Sequence, residues 1–362
     1  MGFSCGIVGL PNVGKSTLFN ALTKKINAEA ANYPFCTIEP NEGTVVVPDD
    51  RIFQLSNISK SKKTIPATLK FFDIAGLVKG ASKGEGLGNK FLSHIREVDA
   101  IIHLVRCFED ENITHVNNII DPINDAEVIE TELVLSDLEM LEKIKSGLEK
   151  LSKKGDKDAV KKIECAELIL PHLAEGHPAR TLKNIDSMSD LTNEFNLITI
   201  KPVIYVCNVD ENSIVNGNEL TKEFIEKMNN NIILISADIE SQIATLGSEE
   251  QEEFLSSLGL VESGLNKIIK EGYKILNLIT YFTSGEQETR AWTIGEKTLA
   301  PDAAGKIHTD FKDGFIRAET ISYDDYISCN GELKARELGK LRSEGKEYTV
   351  QDGDVMHFLF NN

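Results

Sequence analysis

The chain has 362 residues, 41% of them hydrophobic and 27% charged, the composition of a packed soluble protein of roughly two or three domains rather than a disordered chain. Thirty-nine basic side chains against 57 acidic ones leave a net charge of −18, so a global basic footprint is absent and contact with nucleic acid requires a local patch. No apolar run approaches a membrane span, the N-terminus lacks the basic stretch and cleavage site of a secretory signal, and six scattered cysteines without a CxxC pair point away from a zinc site or a disulfide framework; the expectation is a reducing cytoplasm and no membrane contact.

In chain order, residues 3–110 alternate strands and helices. Phe3–Leu10 reads as a strand, Thr17–Lys25 as a helix, Thr44–Val47 as a β-branched strand ending at Pro48, and Leu69–Ile74 as a strand carrying an acid at its end. Ala100–Cys107 is almost continuously apolar, the pattern of a strand buried on both faces; Val203–Cys207 and Ile232–Ile235 repeat it later. This alternation predicts an α/β fold with a mostly parallel, doubly wound sheet. Between Cys107 and Val203 lies a helical insertion. Leu141, Ile144, Leu148 and Leu151, then Ala159, Ile163, Ala166, Leu170 and Leu173, recur at the three- and four-residue steps of a coiled-coil seam. An antiparallel hairpin turning near Lys153–Asp158 is expected. From about Leu278 the texture changes to short β-type runs (Arg290–Ile294, Tyr348–Val350, Val355–Phe360) with one helix after Pro301, and Asp352-Gly353 reads as a hairpin turn. The expected division is a nucleotide domain at 1–128 and 200–277, a helical insertion at 129–199, and an α+β module at 278–362.

Gly9-Leu10-Pro11-Asn12-Val13-Gly14-Lys15-Ser16 fits GxxxxGK[ST] between a strand and a helix, the context in which that pattern binds phosphate. Backbone amides curl around the β-phosphate at a helix N-terminus, Lys15 bridges the β- and γ-phosphates, and Ser16 offers a hydroxyl to Mg²⁺. The expected phosphate set is Asn12, Val13, Gly14, Lys15, Ser16 and Thr17. Asp73-Ile74-Ala75-Gly76 follows a strand; its carboxylate suits Mg²⁺ and the Gly76 amide suits the γ-phosphate. Thr37, between the two motifs, is placed to complete the Mg²⁺ shell. Five glycines between Gly76 and Gly88 read as a switch loop.

The base site departs from the guanine-reading NKxD tetrapeptide. After the strand Val203–Cys207 stands Asn208-Val209-Asp210-Glu211, with Val209 in the lysine position and a longer acid, Glu211, in the fourth. Displacing the carboxylate that grips guanine weakens guanine preference. Ser236-Ala237 after the next strand resembles the last purine-contacting loop.

GLPNVGKST, NYPFCTIEPN, DIAGLVKGAS, GEGLGNKFL, HLVRCF and the NVDE variant, in that order, together resemble the YchF/Obg-like ATPase family of translation-factor-class P-loop NTPases, and the resemblance covers nearly the whole chain. It implies a G-domain carrying a coiled-coil insertion and a C-terminal TGS domain of β-grasp type. It also implies hydrolysis of ATP, with GTP accepted more weakly, and a switch-like role on the ribosome in translation and stress regulation. Two other functions fit the residues: a true GTPase in ribosome assembly, and a nucleotide-gated RNA- or ribosome-binding protein whose hydrolysis is incidental.

The position after DxxG is Leu77 rather than a water-orienting glutamine. His115 is either the catalytic group of a loop, as the resemblance implies, or a surface histidine. Lys15, Thr37 and Gly76 complete the catalytic set. Asn12 either matches a position that holds K⁺ in related NTPases, where the ion replaces an arginine finger, or simply caps the loop. The cofactors expected are therefore Mg²⁺ and, on the first account of Asn12, K⁺. Cys36, beside Thr37, reads by default as an inert small hydrophobe.

Between Lys143 and Lys162 eight basic residues face three acidic ones, a local patch suited to ribosomal RNA phosphates and equally to the solvated face of a coiled coil. A second cluster comprises Lys334, Arg336, Lys340, Arg342 and Lys346. ATP or GTP, and the ribosome through the helical arm and TGS domain, are the expected partners of a monomer.

Overall fold

The structure, a computed structural model, describes residues 3–30, 38–39, 41–74, 87–110, 113, 119–228 and 232–361. The elements of the first half are β1 (Ser4–Val8), α1 (Lys15–Ala30), β2 (Ile38–Glu39), β3 (Glu42–Val46), α2 (Arg51–Ser59), β4 (Thr64–Ile65), β5 (Thr68–Asp73), α3 (Leu87–Glu97) and β6 (Ala100–Arg106). Two long helices follow, α4 (Pro122–Ser152) and α5 (Lys157–Ala174), then α6 (Ser189–Phe195), β7 (Val203–Asn208), α7 (Glu219–Met228), β8 (Ile232–Ile235), α8 (Ala237–Ile243), α9 (Ser248–Ser257) and α10 (Gly264–Ile275).

Seven strands form one sheet in the order β2-β3-β5-β1-β6-β7-β8. β5 through β8 run parallel, and the β2–β3 hairpin closes one edge antiparallel. β1 and β6 are buried along their whole length, which is why their sequences are unbroken apolar runs rather than alternations. The C-terminal ends of β1, β5, β6, β7 and β8 therefore lie along one rim, where open parallel sheets bind ligands.

The coiled-coil expectation is met by α4 and α5. Leu141, Cys165, Ala166, Ile169 and Leu173 share one buried cluster, with Ile144, Leu148 and Leu170 packed on it. The chain turns at Lys153–Asp156, where Gly155 adopts φ +90° and the Asp156 carboxylate caps α5 by accepting from the amides of Asp158 and Ala159. The helix begins at Pro122, seven residues before the expected boundary at 129, because its first turns pack Ala126, Ile129 and Leu133 into the cores of the first sheet.

The C-terminal segment holds β9 (Leu278–Ser284), β10 (Thr289–Gly295), α11 (Ala300–Ile307), α12 (Thr309–Asp313), β11 (Phe315–Ile321), α13 (Tyr323–Ser328), α14 (Glu332–Glu337), β12 (Arg342–Glu344) and β13 (Val355–Phe360). It differs from expectation in three ways. Four short helices are present instead of one. Asp352-Gly353 does not close a hairpin; Thr349 makes only an isolated bridge to Leu299, and β13 pairs with β11 and β9. The carboxylate of Asp352 is instead drawn away to the amide of Thr280 and to Arg51. Lastly, the second sheet, β12-β11-β13-β9-β10-β4, takes its edge strand from residues 64–65 of the first half. Ile52 and Leu55 of α2 join the same buried cluster as Phe282, Ala291 and Tyr326, so the two sheets share one core through α2 and β4.

Candidate nucleotide site

β1 delivers the chain to the phosphate loop. Asn12 and Gly14 occupy the left-handed region, at φ +63° and +97°, which asparagine tolerates and glycine adopts without cost. Gly9 is required for space: a Cβ there would lie 2.6 Å from the Leu104 carbonyl oxygen of β6. The loop then opens into α1, whose Leu18 amide donates to Gly14 O at 2.9 Å. The amides of the first turn are those a phosphate accepts from. Lys15 and Thr17 are half-buried and Ser16 is exposed, while the Val13 side chain is buried in the core below the loop.

Asp73 ends β5, in register with Ile7 of β1. Burial lowers the Lys15 ammonium from its ordinary value, against the pull of Asp73. Burial likewise raises the Asp73 carboxyl, against the pull of Lys15. Asp73 Oδ1 is buried and has no hydrogen-bond partner among the described residues. An orphaned carboxylate oxygen, with the Ser16 hydroxyl beside Lys15, is a donor set for a hard, oxygen-seeking cation, so the residues present fit Mg²⁺. Thr37, Gly76, His115 and Cys36 lie outside the described residues.

Asn208, expected from the sequence to contact the base, is also a brace within the scaffold. Its Nδ2 donates to Val13 O at 3.0 Å and its Oδ1 accepts from Ala237 N at 2.9 Å. One buried side-chain amide thus ties the phosphate loop to the loop after β8, with one bond at each end. Gly14 makes room for it, since a Cβ there would fall 2.3 Å from Nδ2. Val209 is 2% exposed and packs among Val105, Tyr205 and Ile214, so its side chain belongs to the core. The Asp210 carboxylate accepts from the amides of Asn212 and Ser213 and from the Ser213 hydroxyl at 3.0, 3.2 and 2.8 Å, closing its own turn. Glu211 is exposed; Ser236 and Ala237 are buried at the start of α8.

Arg106 was not singled out in the sequence. It ends β6 at 1% exposure and donates to the carbonyls of Phe108, Asp110 and Ile113 at 3.1, 3.2 and 2.9 Å. The signal available was an arginine inside the apolar run Ala100–Cys107, since a buried guanidinium always has acceptors to organise.

Comparison with known proteins places the chain among close relatives. A family model described as a 50S ribosome-binding GTPase matches residues 4–137, and the C-terminal model of YchF-type GTPases, described as a protein of unknown function, matches residues 278–361. The chain is 53% identical over 363 residues to a protein of Escherichia coli O157:H7 named ribosome-binding ATPase YchF, and 53% identical over 366 residues to one so named in Bacillus subtilis (strain 168), covering 100% of both chains in each case. The solved structure of the Schizosaccharomyces pombe YchF GTPase superimposes with a TM-score of 0.89 at 41% identity, covering 99% of this chain and 98% of that one.

Proposed function

The chain belongs to the YchF family, and from that premise we propose that it is a cytoplasmic, Mg²⁺-dependent nucleoside-triphosphate hydrolase that prefers ATP and acts as a nucleotide-dependent switch on the ribosome. The observation that carries the ATP preference is Asp210. Guanine is read by a carboxylate free to accept its N1 and N2 hydrogens; here the fourth position holds the longer Glu211, its neighbour Asp210 already accepts from its own turn with both oxygens, and Val209, in the lysine position, faces the core. Glu211, exposed and one methylene longer, favours the second account, a GTPase.

In the proposed mechanism the loop amides and Lys15 hold and neutralise the β- and γ-phosphates. Ser16, Asp73 and Thr37 hold Mg²⁺, which supplies charge neutralisation at the transferred phosphoryl group. The Gly76 amide senses the γ-phosphate. His115 orients the attacking water in place of the residue that Leu77 has replaced, and Asn12 is the candidate K⁺ ligand.

The ribosome-facing surface is proposed to be the tip of the helical arm. Lys143, Lys145 and Lys162 are tied to Glu139, Glu167 and Glu194. Lys150, Lys153, Lys154, Lys157 and Lys161 are exposed and form no ion pair among the described residues, so the tip carries the charge available to phosphates. The C-terminal cluster is weaker: Arg336, Lys340 and Arg342 are paired with Glu319 and Glu332, Asp325, and Asp354 respectively.

Titration with fluorescent ATP and GTP analogues in Mg²⁺, in K⁺ and in Na⁺, tests the proposal. Tighter ATP binding is expected, and tighter GTP binding overturns the ATP preference in favour of Glu211 as a guanine reader. Unchanged ribosome association by a Lys15→Ala protein would overturn the switch.

A further inference from the structure

A second cavity of about 400 Å³ lies far from the phosphate loop, at the seam between the two sheets. The segment 63–68 forms one wall and the outer stretch Arg290–Thr293 of β10 the other, with Phe3 and Lys306 at its ends. Its size is that of a ligand site.

Its chemistry is one-sided. Three cations line it and no carboxylate does, in a protein of net charge −18. Lys63 keeps only a long 3.9 Å contact with Glu288. Arg290 and Lys306 have no ion pair among the described residues; each lies over an aromatic ring, the guanidinium 4.0 Å from the Trp292 centroid and the ammonium 5.6 Å from that of Phe3. A stacked guanidinium is held in place while its N–H edge stays free for a carboxylate or phosphate.

The backbone narrows the choice. β4 ends at Ile65, so β10 has no strand partner on that side beyond Arg290. Thr289 turns its N–H to this side, donating to Lys63 O at 2.9 Å. The two-residue alternation of a strand therefore turns the main-chain N–H and C=O of Thr293 to the same open side. A phosphodiester offers acceptors only and satisfies half of such an edge, whereas a peptide strand supplies both donor and acceptor. The Trp292 face that a base would stack on is covered by Arg290, which removes the usual grip on single-stranded nucleic acid. The floor, made of Ile65, Ala67 and Ala291, is apolar and buried, suited to alternate side chains of an added strand.

We propose that this seam binds an extended acidic peptide segment of a partner protein, added alongside β10 with its carboxylates on Arg290, Lys306 and Lys63. The proposal is independent of the nucleotide assignment.

Trp292 is the only tryptophan in the chain and lines the cavity, so its emission reports occupancy directly. The full-length protein is titrated with an N-acetylated, C-amidated decapeptide of alternating Glu and Val, with the Lys–Val decapeptide, and with a ten-nucleotide oligouridylate. A saturable change with the acidic peptide is expected. Arg290→Glu and Lys306→Glu are each expected to weaken it about tenfold while leaving nucleotide affinity unchanged. Lys306 is exposed on α11, so its variant tests the charge without disturbing the Trp292 stack. No saturable change with the acidic peptide, equal response to the Lys–Val peptide, or tighter binding of the oligouridylate overturns the proposal, the last in favour of a nucleic-acid surface.

Discussion

The guanidinium of Arg106, buried at the end of β6, donates to the main-chain carbonyl of Ile113 at 2.9 Å. With its bonds to Phe108 and Asp110, this single side chain holds three main-chain carbonyls, the last of them two residues before His115 in the sequence. Lysine cannot reproduce a planar fork reaching three carbonyls. On the role proposed for His115, Arg106→Lys is expected to lower kcat about tenfold or more with KM little changed, as for a group that positions the water rather than the substrate. A rise in KM with kcat unchanged would assign Arg106 to substrate binding. Steady-state ATP hydrolysis reads the split.

Asn208 joins the phosphate loop to the loop before α8. Asn208→Ala frees the Val13 carbonyl and the Ala237 amide, and is expected to weaken ATP and GTP binding alike, about tenfold or more. Calorimetric titration of both nucleotides checks this. Selective loss of one nucleotide would show that Asn208 touches the base.

Asp73 carries a buried carboxylate oxygen without a partner among the described residues. Asp73→Asn is expected to abolish most of the tightening of nucleotide binding by Mg²⁺, while affinity in excess EDTA stays nearly constant. Undiminished Mg²⁺ dependence would remove Asp73 from the metal set.

His103, on β6, is 4% exposed, and its pKa is lowered to about 3 by burial and then by the charge of Arg180. Its ring lies 5.3 Å from that of Tyr205, whose hydroxyl donates to Glu130 at the base of the arm. The folded state holds His103 neutral, whereas the unfolded chain protonates it near 6.5. Its contribution to stability is therefore present above about pH 6.5 and is lost as pH falls toward 3. At pH 5 the expected loss is about 2 kcal/mol. Denaturant melts of wild type and His103→Gln at pH 7 and pH 5 test this; the variant should show the smaller acid loss.

Asp137 of α4 is fully buried and accepts from the amides of Ile198 and Thr199, from the Thr199 hydroxyl, and from Arg96. Asp137→Ala is expected to cost about 3 kcal/mol, because Arg96 and two buried amides lose their acceptor together. Chemical denaturation measures it, and a cost near zero would mean that the arm is seated by α4–α5 packing alone.

The parts legible in the sequence are those whose physics is local. The phosphate loop is a matter of backbone torsions and amide spacing within eight residues. The seam of α4 and α5 is a helical repeat, and the buried strands β1, β6 and β7 announce themselves as apolar runs. The C-terminal region was harder, because short helices and the edge pairing of β12 are decided by packing that no periodicity encodes. Asp352-Gly353 carries the chemistry of a hairpin turn, yet Thr280 and Arg51 recruit that aspartate.

The sequence by itself determined the phosphate chemistry, the order of the motifs and the family, because these reside in contiguous residues whose spacing is fixed by the covalent chain. Only the tertiary structure decided that Asn208 braces the phosphate loop against the loop before α8, that Asp210 caps its own turn, that Arg106 binds the carbonyls after β6, and that α2 and β4 fuse the two sheets into one core. Each of these depends on which hydrogen-bond partner or apolar surface packing brings within a few ångströms, often from residues far away in sequence, and the energy of a buried polar group is set by that partner rather than by its neighbours in the chain.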